Sequence, residues 1–338
     1  MAGEAIKSFR IFVLRPQADA LLRELLLCGV EFTGTDAALL EQLSPEAAAD
    51  GQSRTEQCVL QNALDILEVC APEKRKPLFS KKPQAERQSL LEQSGMTAIR
   101  QTAERITDCW EAYSSRTAEW KQVRGRIAAL QPWETLDVPL DYAGTAQCCV
   151  VLGTVPPSVR QAVLEKALAA ASDAAVLFPV SAGKEGRYLE LLCFREKREA
   201  CVAALGRCGF SVLSFPSGTG IAAQALREAE ETEARLRRES EELYAELLAL
   251  AAHRQELQLG VDRLALQIAA EEKKADLFGT EQTVYLQGLI PARAVEFLEA
   301  ALVRYGCTWE LSDYAPEGRK QICPCALPLR YTELKRNL

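Results

Sequence analysis

Histidine and cysteine are the residue types from which a catalytic or metal site would most readily be built. The chain has one histidine, His253, inside a long charged stretch with helical spacing. A histidine-based triad or a multi-histidine metal site needs further positioned partners, so we interpret His253 as incidental. Cys323 and Cys325 form a Cys-x-Cys pair without a second pair at zinc spacing, which favours a plain surface pair. The adjacent Cys148 and Cys149 should point to opposite faces of a strand, which suits packing rather than ligation.

Two glycine clusters and one basic run could bind phosphate. Gly183–Gly186 (GKEG) lacks the upstream glycine and the following Ser or Thr of a P-loop, and Gly218–Gly220 (GTG) lacks the third glycine of a dinucleotide turn. A hairpin turn and the start of a helix explain them adequately. The basic, proline-containing residues 74–83 form only a short run, which favours a solvated linker. We therefore predict no catalytic, cofactor-binding or metal-binding residue, no cofactor and no small-molecule substrate.

Composition narrows the class of protein further. The 338 residues are 48% hydrophobic and 26% charged, which is typical of a folded chain of two or three compact units. A net charge of −7 argues against nucleic acid as a partner, because such proteins carry a basic surface. The twelve cysteines lie mostly in apolar stretches and are expected to be reduced core residues of a cytoplasmic protein. We see no signal peptide and no apolar stretch long enough to cross a membrane.

Two stretches carry a heptad pattern that predicts long paired helices. The first runs from Ile99 to Ile127 and includes Trp110, Tyr113 and Trp120, which we interpret as packing residues. The second follows the series Leu236, Ser240, Leu243, Leu247, Leu250, Arg254, Leu257, Val261, Leu264 and Ile268. We expect residues 51–132 to form outgoing helices and residues 219–277 a single returning helix. Gly260, Ser240 and Arg254 are places where this helix could bend.

The remaining segments predict two small α/β lobes. Residues 143–216 follow the order βαββαβ, with a last strand over Phe210–Phe215, and this order is ferredoxin-like. Residues 1–50 predict strand, helix and strand, and residues 280–338 repeat that order, so the two could form one lobe together. The predicted fold class is α+β: two ferredoxin-like lobes joined by a long antiparallel coiled-coil shaft, as in a dumbbell.

Particular motifs resemble a known family. Gln131–Leu140 (QPWETLDVPL) resembles the "PW..LDLPL" stretch in the cytoplasmic N-terminal half of subunit I, called subunit a in eukaryotes, of the V/A-type rotary ATPases. Thr280–Pro291 (TEQTVYLQGLIP) is similar to the family's "T..T..LEGWVP", with Leu289 in place of the usual tryptophan. The opening Phe9–Ile11 and the closing Ala326–Tyr331, at the place of "PPT.L.N", fit the same order. The resemblance extends over the whole chain.

The resemblance implies a non-catalytic stator subunit of a complex that transports protons or sodium ions. Its lobes, at 143–216 and at 1–50 with 280–330, would bind the peripheral-stalk heterodimers and resist torque. The central stalk would be a possible contact at rest, and the proteolipid ring would be reached only through a membrane half that these residues lack. Such a chain would lie on the cytoplasmic side of a prokaryotic plasma membrane and would not move ions itself.

The residues alone also allow a protein of a different class. The same pattern of heptads and lobes would suit a cytosolic coiled-coil adaptor, or an arm protein associated with nucleic acid, whose two lobes bind unrelated partners. An enzyme is a third reading, because α/β lobes can host chemistry, but no constellation of residues supports it.

Overall fold

The computed structural model describes residues 5–33, 44–45, 51–73, 84–183, 186–274, 276–314 and 329–333. The strands are β1 Ile6–Leu14, β2 Glu31–Phe32, β3 Ser44–Pro45, β4 Gln84–Ala85, β5 Cys148–Val155, β6 Val176–Ala182, β7 Arg187–Phe194, β8 Ser211–Val212, β9 Phe278–Gly279, β10 Thr283–Pro291, β11 Thr308–Asp313 and β12 Thr332–Glu333. The α-helices are α1 Arg15–Leu27, α2 Gln52–Cys70, α3 Arg87–Leu91, α4 Met96–Leu130, α5 Gln161–Ala169, α6 Arg198–Gly206, α7 Ala222–Leu250, α8 Arg254–Lys274 and α9 Val295–Arg304.

The chain forms two compact units. One, which we call the terminal unit, comprises residues 1–110 and 244–338, and the other, the central unit, comprises residues 111–243. The boundary between them falls inside α4 and α7. Each unit contains an antiparallel sheet with helices on one face, which makes the fold α+β.

The central unit has a four-stranded sheet in the order β6-β7-β5-β8, with all neighbours antiparallel. Its chain order is β5-α5-β6-β7-α6-β8, the ferredoxin-like arrangement that the sequence predicts. The last strand is shorter than predicted, Ser211–Val212 instead of Phe210–Phe215. Phe215 leaves the sheet to pack its ring edge-on against Trp133, with ring centroids 5.8 Å apart.

The terminal unit builds a sheet of the same order from the two ends of the chain. Strand β1 lies between β11 and β10, and β10 pairs with β2, so the order is β11-β1-β10-β2 with antiparallel neighbours. The short β9 and β3 extend it beyond the start of β10. The core under this sheet joins Phe9 and Ile11 of β1 to Leu22 of α1 and Leu298 of α9.

Three of the lobe helices end in the same way, and the sequence explains it. Helices α1, α6 and α9 are each followed by a glycine with positive φ, and the next residue returns a backbone hydrogen bond into the last turn. These glycines are Gly29, Gly209 and Gly306, with φ of 71°, 89° and 58°, and the bonds run from Val30 to Leu25, Phe210 to Leu205 and Cys307 to Leu302. Only glycine adopts this φ without strain, so it ends the helix and redirects the chain into the next strand.

The prediction of a single returning helix over 219–277 is wrong in one respect. A 3₁₀ turn at Ala251–His253 divides it into α7 and α8. A 3₁₀ helix turns about 120° per residue instead of about 100°, so three such residues shift the following side chains by about 60°. Every position of the predicted series from Leu236 to Ile268 is nevertheless buried or half-buried.

Arg254, the first residue of α8, is buried because it caps another helix of the terminal unit. Its guanidinium donates to the carbonyl oxygens of Leu67 and Ala71 at the end of α2, the first over 2.8 Å, and to Glu68 Oε2 over 2.9 Å. The last carbonyls of a helix have no partner inside the helix, and they favour a cation. This polar heptad position therefore stabilises the end of α2.

Helices α4 and α7 carry complementary charges along facing sides. In the terminal unit Arg105 lies 2.5 Å from Glu246, and in the central unit Arg116 lies 3.0 Å from Glu239. Trp120 Nε1 donates to Glu233 over 3.2 Å, in the central unit as well. In the central unit the α7 number falls from 239 to 233 as the α4 number rises from 116 to 120, so the two helices run antiparallel there. Exposed pairs of this kind stabilise little individually, but their charge pattern selects the pairing.

Candidate partner-binding surfaces

Of the residues that could have done chemistry, His253, Cys148 and Cys149 lie in the described part of the chain. His253 is exposed in the 3₁₀ turn, where its Nδ1 lies 3.0 Å from Glu256 Oε2. Cys149 is buried beneath the helices of the central unit, whereas Cys148 is half-exposed on the opposite face of β5, as their adjacency predicts. Cys323, Cys325 and the basic residues 74–83 lie outside the described residues.

Buried thiols form a small cluster in the central unit. Cys149 and Cys193 are direct partners on β5 and β7, and their sulfur atoms lie 3.4 Å apart. Burial, reinforced by hydrogen bonding and charge coupling to Cys149, raises the pKa of Cys193 to about 12, and burial raises the pKa of Cys201 as well. The thiols of Cys193 and Cys201 therefore stay protonated at neutral pH and pack as small apolar groups. Among the described residues no group of three or more His, Cys, Asp or Glu is arranged to hold a metal ion.

In each glycine cluster a described backbone N–H group is already engaged within the chain. Gly183 N–H donates to Gly186 in the β6–β7 hairpin, and residues 184–185 of that cluster lie outside the described part of the chain. Gly218 N–H donates to the Asp141 carboxylate over 2.7 Å. Backbone hydrogen bonds, that of Gly218 foremost, hold the pKa of Asp141 below its ordinary value. A carboxylate of the chain itself thus occupies the amide that a phosphate would use.

The surface most suited to a partner lies on the sheet of the central unit. Alternate residues of its strands face α5 and α6 and form a closed core that includes Val151, Leu189 and Leu191. The other residues of the same strands are also largely apolar and face away from these helices. A sheet with helices on one face usually has a polar second face when water covers it, so a second apolar face indicates that protein covers it.

Part of this second face is covered by the central unit itself. Trp133 is fully buried there, and its ring lies edge-on to Tyr188 with centroids 5.4 Å apart. Leu136 and Leu140 belong to the same cluster, which covers Leu152 of β5. These covering residues come from the QPWETLDVPL stretch, so the structural role of that motif is to cover part of the second face of the sheet.

The remaining part, which we call the free patch, has no cover among the described residues. Val176 and Phe178 on β6 and Phe194 on β7 are 45%, 46% and 46% exposed. The half-exposed Leu192 and Cys148 lie between and beside them, because Leu192 pairs with Val176 and Cys148 pairs with Phe194. The free patch is therefore a contiguous apolar surface rather than scattered single residues.

One carboxylate lies at the border between the covered part and the free patch. Glu190 pairs with Phe178 on one side and with Leu152 on the other, so its side chain shares their face. Burial raises the pKa of Glu190, and no nearby charge contributes to that shift. Among the described residues it has no hydrogen bond or ion pair.

The corresponding face of the terminal unit is polar over part of β1 and β11. Ser8 and Ser312 hydroxyls lie 3.0 Å apart, and Arg10 lies 3.9 Å from Glu310. Apolar residues on this face include Phe12 and Leu14 of β1, which are 40% and 49% exposed, and the buried Tyr285 and Leu289 of β10. The ring centroids of Phe12 and Tyr285 are 5.0 Å apart. The two lobes thus share a topology but present different surfaces, and the central unit carries the more apolar one.

A shallow polar depression of about 430 Å³ lies on the terminal unit between α1, α2 and α8. Its carboxylates already accept hydrogen bonds from neighbouring polar side chains, since Ser53 and Gln267 both donate to Glu271 and Gln52 donates to Glu56. We assign it no ligand.

Comparison with known proteins gives a likeness to a solved structure. No protein-family model matches the chain, and no curated protein matches it. Among solved structures, the chain is similar to the cytoplasmic N-terminal domain of subunit I, a homologue of subunit a, of V-ATPase. The identity is 19% and the TM-score 0.47, and the match covers 90% of this chain and 100% of the other. This is the domain that the sequence motifs resemble. No helix among the described residues is long and apolar enough to span a membrane.

Sequence reasoning predicted a lobe at 143–216 but missed the free patch on its sheet. The signal was present, because β6 (VLFPVSA) and β7 (RYLELLCF) are apolar at both odd and even positions. One layer of two helices can cover only one face of such strands, so the excess of apolar residues indicates a second contact.

Proposed function

We propose that this chain is the peripheral, non-catalytic half of a stator subunit in a V/A-type rotary ATPase. The motifs at 131–140 and 280–291, in that order along the chain, support the proposal, as does the opening at 9–11. The subunit would link the peripheral stalks to an ion-translocating membrane half and resist torque during proton or sodium transport. It would act at the cytoplasmic side of the membrane.

The observation that carries this proposal most is the split sheet of the terminal unit. Its first βαβ half comes from residues 6–32 and its second from residues 283–313, and the central unit is inserted between them. A chain that begins and ends in one lobe and builds a second lobe on the way has two attachment surfaces on a single subunit. Two weak attachments held together by one chain resist detachment far better than either alone.

The partners follow from this arrangement. The peripheral-stalk heterodimers would bind the lobe at 143–216 and the lobe formed by 1–50 with 280–330. A dumbbell in which α4 and α7 contribute to an antiparallel coiled-coil shaft belongs to the same proposal. The proteolipid ring would be contacted only by the membrane half of the subunit.

A binding assay tests the proposal. The full chain, immobilised through its N-terminus, is exposed to the recombinant peripheral-stalk heterodimer of the same organism, and an unrelated coiled-coil heterodimer of similar charge is the control. We expect saturable binding of the stalk heterodimer and none of the control. Equal retention of both, or of neither, would contradict the stator function and favour an adaptor for other partners.

A further inference from the structure

The free patch is about as wide and as long as the surface that one short helix covers. It spans β6, β7 and the start of β5, which is about 10 Å across at the usual strand spacing. Along β7 it runs from Glu190 to Phe194, about 13 Å at about 3.3 Å per residue. An α-helix with its side chains is about 10–12 Å in diameter, and two of its turns are about 11 Å long.

The sheet edge beside the free patch is unsuited to an added strand. β6 is the edge strand, and it carries Pro179, which cannot donate a hydrogen bond to a neighbour. Its register with β7 also shifts between Pro179 and Ser181. Proline and a register irregularity are devices that block edge pairing. A partner is therefore expected on the face of the sheet and not at its edge.

The chemistry of the free patch specifies the charge of the partner. The apolar side chains of the free patch favour a partner helix with an apolar stripe. Glu190, at the border of the free patch, favours a positively charged residue beside that stripe. When a partner covers this carboxylate, the remaining water is removed, and an unpaired buried charge is costly. A lysine or arginine at the edge of the stripe would remove that cost, and an acidic residue there would increase it.

We propose that the free patch binds one amphipathic helix of the peripheral-stalk heterodimer, with its apolar stripe on Val176, Phe178 and Phe194 and a lysine or arginine against Glu190. The inference rests on the proposed function for the identity of the partner. The area is small compared with the roughly 800 Å² per partner of a stable interface, so this contact alone is weak and acts together with the second lobe.

The first arm of the test uses the stalk heterodimer and full-length variants of the chain. F178S/F194S should weaken binding about tenfold or more, because exposed aromatic anchors carry most of the affinity of such a contact. E190K should weaken it as well, with a smaller effect for E190Q. V163S is the matched control, since Val163 is 49% exposed on α5, outside the free patch. If the heterodimer binds the wild-type chain and F178S/F194S equally well, the free patch is not its binding site. That result would leave the proposed stator function unaffected.

The second arm does not depend on the stalk. Two synthetic amphipathic helical peptides differ only in one residue beside the leucine stripe, arginine in one and glutamate in the other. The wild-type chain should bind the arginine peptide more tightly, the difference should largely disappear in E190Q, and F178S/F194S should bind neither. Equal binding of both peptides to the wild-type chain, or of neither, would overturn the inference. Concentration-dependent dimers in sedimentation that F178S/F194S abolishes would overturn it in favour of a second copy of this chain.

Discussion

At the scale of single residues, the function of several polar side chains is to complete the packing of helices. Arg254 is the clearest case, because the heptad pattern places this charged residue at an inward position that is ordinarily apolar. In the structure its guanidinium satisfies the carbonyls at the end of α2, so the inward position and the charge are both required. Sequence periodicity predicts that such a residue is inward, but it contains no information about which distant helix end it caps.

Gly260 gives a prediction about close packing. A Cβ added there would lie 2.7 Å from Leu60 Cδ2 and 3.0 Å from Ile99 Cγ2, so α8 approaches α2 and α4 closely at this point. We expect G260A to lower the free energy of unfolding by about 1–3 kcal/mol through overpacking, in spite of the better helix propensity of alanine. Urea denaturation measures this.

Gly125 in α4 provides the matched control for that prediction. A Cβ there would have no atom within 4 Å, so G125A should stabilise the protein by about 0.5–1 kcal/mol. If both alanine variants stabilise the chain, the close approach at Gly260 is contradicted.

Asp141 and Glu190 should make the stability of the central unit depend on pH in opposite ways. Backbone hydrogen bonds lower the pKa of Asp141, so it stabilises the fold above its unfolded pKa of about 3.9, and this stabilisation is lost as the pH falls through the folded value. Burial raises the pKa of Glu190, so its contribution is present below its unfolded pKa of about 4.3 and is lost as the pH rises through the folded value.

The measurement is the Tm of D141N and E190Q between pH 3 and pH 7. At pH 7 D141N should melt below the wild type and E190Q above it, and both differences should shrink as the pH approaches 3. A difference between D141N and wild type that is independent of pH would contradict the role of the Asp141 carboxylate.

At the scale of elements, the sequence predicts the lobes well because strands, helices and their terminating glycines are local features. Helix α4 occurs where the heptad series from Ile99 to Ile127 places it, and Gly29, Gly209 and Gly306 follow the ends of their helices. The 3₁₀ turn at Ala251–His253 was not predicted, because a change of helical phase depends on what α8 packs against. The early end of β8 likewise depends on the contact between Phe215 and Trp133.

The segment 329–333 gives a prediction at this scale. Asp262, buried on α8, accepts the backbone N–H groups of Arg330 and Tyr331, each over 2.8 Å, and β12 follows in parallel to β4. An asparagine can accept through one oxygen only and would direct its NH₂ group at the second amide. D262N should therefore accelerate hydrogen exchange at the amides of Arg330 and Tyr331 severalfold or more.

Amides in the centre of β10 serve as the internal reference for that experiment. Their exchange should be unchanged in D262N, because β10 pairs with β1 independently of this segment. Equal acceleration in β10 would mean that the variant destabilises the whole terminal unit, and unchanged rates at Arg330 and Tyr331 would contradict the anchoring role of Asp262.

At the scale of the whole molecule, the chain carries two lobes that share one topology and present two different surfaces. The apolar free patch on the central unit and the polar sheet face of the terminal unit suit two separate contacts with different chemistry. Sequence patterns predicted the two lobes, but the free patch required the register of β5, β6 and β7, which decides which residues share a face.

The central claim, that both lobes hold peripheral stalks, is tested most directly by calorimetric titration of the full chain with the stalk heterodimer. The account predicts two binding events per chain, of which F178S/F194S removes one and leaves the other. A single event that these substitutions leave unchanged, or no heat of binding at all, would contradict it.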